Sequence, residues 1–424
     1  MGRRAEGSHH SSLTRHGQNG TSSRFYSMKS PLRIAVTGLA ATFPYGGVFW
    51  DYLQYPLGLQ RLGHDVLYIE DTGQWCYDPT AATFVEDGGR NAALLGRRIA
   101  ALDPDLAGRW FFRDAMGKTY GRSWNDVAEF CRSADLFLHI SATCWMREEY
   151  FAATRVAFVD SDPMYTQSSV PDYLAGTIDD AARGRVDLLR QHDIFFTFGE
   201  NIGAPDCRIP TGLFDWVPTR QPVVLSCFRD AAVPIAARRP VLTTVASWEP
   251  KDKGPIVDRV VYRGKSAEFE RFVDMPARSV LPIELALSGP APFEHLQARG
   301  WKLVDPYEMS GDPWIYRYYL SRSLGEWSVA KNAYVAGRSG WFSCRTACYL
   351  ALGVPAIVQD TGFGRAIPTG EGVLTFSTPE EATDAIDRLA SDPNRHANAA
   401  REIAEEYFDS DKVLTRLIDE AQVR

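Results

Sequence analysis

Apolar residues along this chain come in short blocks separated by longer stretches of helical spacing. Ile34–Val36 and Val66–Ile69 are buried-strand runs, and between them lies "YGGVFWDYLQYPLGLQRLGHDV", a helical segment ended by Gly63. A strand, a helix and a second strand in this order predict a parallel sheet, because parallel neighbours need a crossover. The same alternation returns at "ADLFLHISA", "RVAFVDSDP" and "HDIFFTFGE", so residues 31–220 are expected to form one doubly wound domain. Within the first unit, Gly46 and Gly47 read as part of a loop, and Pro56 with Gly58 predicts a kink near Tyr55.

The stretch "DWVPTRQPVVLSCFRDAAVPIAARRP" breaks the rhythm with four prolines and little periodicity, and residues 221–239 are read as a linker. A second series starts at "VLTTVASWEP", continues through "SVLPIELALSG" and "GWKLVDPYE", and reaches "KNAYVAG", giving a second α/β domain over 240–400. In "GRSGWFSCRTACYLALGVPAIVQDTGF", Cys344, Ala347, Cys348 and Ala351 recur at i, i+3, i+4 and i+7. That spacing predicts a slim helix stopped at Gly353, followed by a short buried strand over Ala356–Val358. Ser339, Gly340 and Ser343 leave the head of this helix free of bulk, and its unpaired N–H groups carry partial positive charge suited to a phosphate. Near the end, "TPEEATDAIDRLASDP" reads as a helix with Thr378 as N-cap and Glu380 and Glu381 in its first turn, and "NRHANAAREIAEEYFDSDKVLTRLIDEAQ" as one more helix.

Length and charge narrow the class. With 424 residues the chain exceeds what one core usually serves. Lys and Arg number 46 against 53 Asp and Glu, a formal balance of −7 that argues against a nucleic-acid partner held by bulk charge. No apolar run is long enough to span a bilayer and no signal-peptide pattern opens the chain. Seven scattered Cys without paired metal spacing fit a reducing cytoplasm and free thiols. Residues 1–30, polar and rich in Ser and Gly, are expected to be disordered.

Taken together, "YGGVFWDYLQYPLGLQRLGHDV", the Pro-rich linker, "SGWFSCRTACYLALGVPAIVQDTGF" and "IPTGEGVLTFSTPEEATDAIDRLASD" resemble nucleotide-sugar-dependent glycosyltransferases of the GT-B fold, across nearly all of residues 31–424. The flavour is that of bacterial family-one-like and family-four-like enzymes. The resemblance implies two Rossmann-like domains facing a cleft, with the acceptor in the first half and the donor in the second. It also implies that the last segment, 401–424, returns to the first domain. Transfer would run from a nucleoside diphosphate sugar as co-substrate to an acceptor hydroxyl or amine, without a metal or a resident cofactor. Two departures stand out. The places of two glutamates eight positions apart, which frame the donor helix in family-four-like enzymes, hold Gly340 and Cys348 here, and the plant-type His-Cys-Gly-Trp-Asn motif is missing. Retention or inversion is therefore not carried over, and an epimerase, a hydrolase or a silent sugar-nucleotide binder on the same fold stays open.

On this reading Ser339, Gly340, Trp341, Phe342, Ser343 and Arg345 form the pyrophosphate cradle, with Lys331 as a second cation and Gly46 and Gly47 approaching from the opposite domain. Asp360, Thr361 and Gly362 follow a buried strand at its carboxyl end, where sugar hydroxyls are expected, and Trp248 and Asp305 sit at corresponding strand ends, flanking the nucleoside. An inverting reaction needs a base, and "FVDSDPMYTQ" offers Asp160 and Asp162 at a first-domain strand end, Asp160 being favoured. Both also fit plain turn carboxylates, and His139 fits a core histidine.

Overall fold

The computed structural model describes residues 30–248 and 254–423. The polar extension, apart from Ser30, lies outside the described residues. The first sheet takes eight strands: β1 (Arg33–Thr37), β2 (Asp65–Asp71), β3 (Trp110–Arg113), β4 (Thr119–Gly121), β5 (Leu136–Ile140), β6 (Arg155–Asp160), β7 (Ile194–Thr197) and β8 (Trp216–Pro218). Their order is β8-β7-β6-β5-β1-β2-β3-β4. All neighbours are parallel except β3 and β4, and Ile34 lies opposite both Val66 and Leu136. The first strands run outward from β1 in both directions, so the order reverses beside it, and the loops after β1, β2, β5 and β6 leave on one edge.

A second, all-parallel sheet holds β9 (Arg239–Ser247), β10 (Ile283–Ser288), β11 (Lys302–Val304), β12 (Ser323–Ser328), β13 (Ala356–Gln359) and β14 (Val373–Phe376), ordered β11-β10-β9-β12-β13-β14. The central strand β12 is absent from the sequence expectation. Its segment, "SLGEWS", carries Gly325 and Glu326 where a buried strand should be apolar, and the fold encloses both. "KNAYVAG" supplies no strand; it forms the short helix Asn332–Ala336.

Helix α1 (Gly46–Arg61) runs without interruption through Pro56, and Gly46 and Gly47 make its first turn rather than a loop. Phe49, Trp50, Tyr52, Leu53, Gln54, Tyr55, Leu57 and Leu59 are all buried, so packing on every side holds the helix across the proline's missing donor. Against it lie α2 (Pro313–Ser321), α3 (Cys344–Ala351) and, beyond α4 (Pro379–Ser391) and α5 (Pro393–Ile403), the last helix α6 (Ser410–Glu420). Helix α4 opens on a reciprocal cap between Thr378 and Glu381. The single helix read over residues 394–422 is two, divided by a wide turn at Ala404–Phe408 and by Asp409. Val223 makes the division: its N–H donates to Phe408 O at 2.7 Å and its carbonyl accepts from Ser410 N at 2.9 Å. α6 thereby folds back onto the first half, where a Cβ on Gly58 would stand 2.6 Å from Leu414 Cδ1. Residues 221–239 join the two sheets and include the helix Leu225–Arg229, whose Phe228 ring lies 4.9 Å from that of Trp50. One core cluster runs from Ile34, Val36 and Phe49 to Ala347, Leu350 and Leu414, and so belongs to both halves.

Candidate functional site

The carboxyl-end loops of the two sheets enclose a cavity of about 390 Å³, within the usual range for a small-molecule site. From the first half it is lined by Tyr45, Gly47, Val48 and Asp51 at the head of α1, and by Ser161 and Asp162 after β6. From the second half come Val245 to Ser247, Lys265, Ser288, Tyr307, Tyr316, Lys331, Tyr334, Trp341 and the head of α3, Ser343 to Arg345. Ser343 precedes α3 in extended conformation and makes no capping bond with its side chain, so the first N–H groups of α3 face the cavity uncapped.

Arg345 stands where the strand order of the second sheet reverses. Its Nε donates to Glu326 Oε1 at 2.7 Å, Nη1 to Val245 O at 2.8 Å and Nη2 to Ser328 Oγ at 2.9 Å, tying β9 to β12. Glu326 is fully enclosed, and this ion pair is what makes a glutamate tolerable in a central strand. Across the cavity, Asp162 accepts from Lys331 Nζ at 2.9 Å and from the Tyr334 hydroxyl, joining the halves through an ion pair. Trp341 Nε1 adds a bond to Ser161 O at 3.1 Å.

Of the residues singled out from sequence, Gly47, Asp162, Lys331, Trp341, Ser343 and Arg345 meet in this cavity. The others have different places. Gly46 lies under α2, its Cβ position 2.6 Å from Tyr316 Cβ. Ser339 and Gly340 fasten the two halves: Ser339 O accepts from Asn201 N at 3.1 Å, and Gly340, at φ +78°, leaves 2.3 Å between a Cβ and that same nitrogen. No other residue fits there. Phe342 is buried against Phe363 and Phe408. Asp360 pairs at 2.6 Å with Arg338, whose carbonyl accepts from Asn201 Nδ2 at 2.8 Å, Thr361 donates to Trp341 O at 2.6 Å, and a Cβ on Gly362 would stand 3.1 Å from Asn201 Nδ2, so this trio belongs to the seam between the halves. Trp248 packs on Phe269 and Asp305 caps the helix Pro306–Ser310.

Asp160 does not face the cavity. It is 1% exposed and accepts from Thr166 Oγ1, Gln167 Nε2 and Thr197 Oγ1 at 2.7–2.9 Å, which makes it the anchor of the loop after β6. Burial pushes its carboxyl up to about 6 in spite of these donors. His139 is likewise enclosed, its Nδ1 3.0 Å from His192 Nε2, and burial lowers it to about 3.

The sequence reading passed over Asp51. Its signal was a lone carboxylate inside the bulky run "VFWDYLQYPLGL", a place where a charge has no reason to be unless the fold uses it. Asp51 is half-buried on α1, one turn beyond Gly47, and shares the cavity wall with Cys344 and Arg345 at the head of α3, near enough for both to act on its charge. Burial raises its carboxyl to about 7, with Arg345 and the thiol pulling the other way.

No protein-family model matches the chain, and no curated protein matches it in sequence. Solved structures do. An α-glucosyltransferase in complex with UDP and a 13-mer DNA superposes with a TM-score of 0.57 at 10% identity, over 92% of this chain and 99% of that one. Sucrose-phosphate synthase from Thermosynechococcus elongatus follows at 0.53 and 13%, over 91% and 97%. HepE from Anabaena, in complex with UDP and glucose, gives 0.52 and 11%, over 92% and 99%. With two parallel sheets facing one cleft, a last helix that crosses back, and these likenesses along nearly the whole chain, this protein has the GT-B fold.

Proposed function

We propose that the protein transfers a sugar from a nucleoside diphosphate sugar to an acceptor in the cleft between its halves. The observation that carries this reading is the meeting of an uncapped helix head and Arg345 from the second half with Gly47, Asp51 and Asp162 from the first, in one cavity. A leaving diphosphate at that head is stabilised by the α3 dipole, by Arg345 and by Lys331, which together do the work of a divalent ion. The serines that end β9 and β10, Ser247 and Ser288, and Tyr307 line the part of the cavity left for the nucleoside. The acceptor then enters from the side of Tyr45 and Ser161. UDP and glucose occupy HepE, and UDP the α-glucosyltransferase, which makes UDP the first nucleotide to try.

Titration with UDP, GDP and dTDP in EDTA tests the donor site. At a hundred times the dissociation constant the expected stabilisation is about 2.7 kcal/mol, seen as a rise in melting temperature. No rise with any of the three at millimolar concentration overturns the reading.

A further inference from the structure

We infer that Asp51 is the catalytic base, the group that receives the acceptor's proton as the sugar is transferred; this rests on the donor reading above. Among the described residues lining the cavity, the carboxylates are Asp51 and Asp162. Asp162 is engaged by Lys331 and Tyr334 across the cleft, and Asp160, the choice made from sequence, is walled off behind three donors. Asp51 alone combines a place on the cavity wall with a position beside the head of α3. A donor whose diphosphate rests on that head brings its anomeric carbon close to α1, where an incoming hydroxyl meets the Asp51 carboxylate.

The step balances without an added reagent. The acceptor oxygen bonds to the anomeric carbon and gives its proton to Asp51. The bond from that carbon to the β-phosphate oxygen breaks, and the electron pair leaves with the nucleoside diphosphate. Protonated Asp51 then returns its proton to water.

The surroundings suit the task. Arg345, Cys344 and Cys348 on α3, Tyr316 on α2, and Tyr52 and Tyr55 on its own helix all lie within electrostatic reach of Asp51. Enclosure among these groups leaves the carboxyl titrating near neutrality, where a base takes up and releases a proton with equal ease. The same enclosure works against folding. A carboxyl whose pKa is raised in the folded state costs stability once pH exceeds the unfolded value, in full above the folded one.

The test needs no knowledge of the acceptor, since water can serve as one. Release of the nucleoside diphosphate from UDP-glucose, GDP-mannose and dTDP-glucose is followed for the parent, Asp51→Asn and Asp51→Glu, beside UDP, GDP and dTDP affinity and melting temperature at pH 8. The expected result is a loss of a hundredfold or more in release by Asp51→Asn, unchanged affinity, a melting temperature above the parent's, and partial recovery in Asp51→Glu. The parent's release rises through pH 7, and Asp51→Asn loses that rise. Release by Asp51→Asn within threefold of the parent overturns the assignment and leaves the donor reading intact. Loss of nucleotide affinity in Asp51→Asn overturns it too, by making Asp51 a binding contact. A parent that binds none of the three nucleotides overturns the donor reading and this inference with it.

Discussion

Arg345 shows how one side chain can belong to the fold and the site together. A surface arginine at a helix head would tolerate truncation, but here the guanidinium neutralises Glu326 inside the second sheet and holds Val245 O and Ser328 Oγ. Arg345→Ala leaves an enclosed carboxylate without its cation, so unfolding free energy is expected to fall by about 3–5 kcal/mol. Paired with Glu326→Gln, Arg345→Met removes both charges and should regain most of that stability while diphosphate release stays depressed. Urea denaturation and a release assay on the two proteins separate the roles. Recovery of release along with stability would mean that Arg345 acts through the fold alone. Asp160 teaches the complementary lesson: "FVDSDP" ends a strand at Asp160 as its apolar run predicts, yet which of two carboxylates turns inward is decided by Thr166, Gln167 and Thr197, residues up to 37 positions away.

At the scale of elements, the first turn of α1 sets how closely the halves approach. By helix propensity alone, Ala at position 46 would be favoured over Gly by about 1 kcal/mol. The neighbour reverses the sign. A Cβ at Gly46 meets Tyr316 Cβ at 2.6 Å and Asp312 O at 2.8 Å, so Gly46→Ala should lose about 1–3 kcal/mol and weaken nucleotide binding by prising α1 from α2. Gly47→Ala, whose nearest contact is the Tyr316 ring at 3.6 Å, should fold normally. Thermal unfolding and UDP titration of the pair check the contrast. Helices α1 and α4 were legible because spacing and caps are local. Strand β12 was not, since its Glu326 is made acceptable by an arginine on another element.

For the molecule as a whole, the halves are fastened at several places besides the cavity. Trp50 Nε1 donates to Pro313 O at 2.8 Å, and Arg98 bonds Pro44 O and Gly311 O on either side. Global stability also carries a pH signature from the first half. His139 is held neutral to about 3, so as pH falls below about 6.5 the unfolded chain takes up its proton first and stability declines, by up to about 1.4 kcal/mol per pH unit. Asp51 and Asp160, raised to about 7 and about 6, act in the opposite sense, because the folded state protonates first. A comparison with His139→Phe isolates the histidine. The variant should gain on the parent as pH drops from 6.5 to 4.5, measured by denaturant midpoints, and a constant difference would refute the assignment.

The sequence by itself determined the class of fold: apolar blocks of strand length between helical stretches, twice over, with a proline-rich join, admit little but two parallel sheets. It also placed the slim helix α3 and its open head, for helix spacing and missing bulk are properties of neighbours in the chain. Only the tertiary structure decided which residues share the cavity. It set Ser339, Gly340, Asp360, Thr361 and Gly362 into the seam between the halves, turned Asp160 inward, and brought Asp51 beside Cys344 and Arg345, nearly 300 positions later in the chain. The reason is physical: local pattern fixes which face of an element is buried, whereas a site is made where faces from distant elements meet, and burial there sets the charge each group can carry.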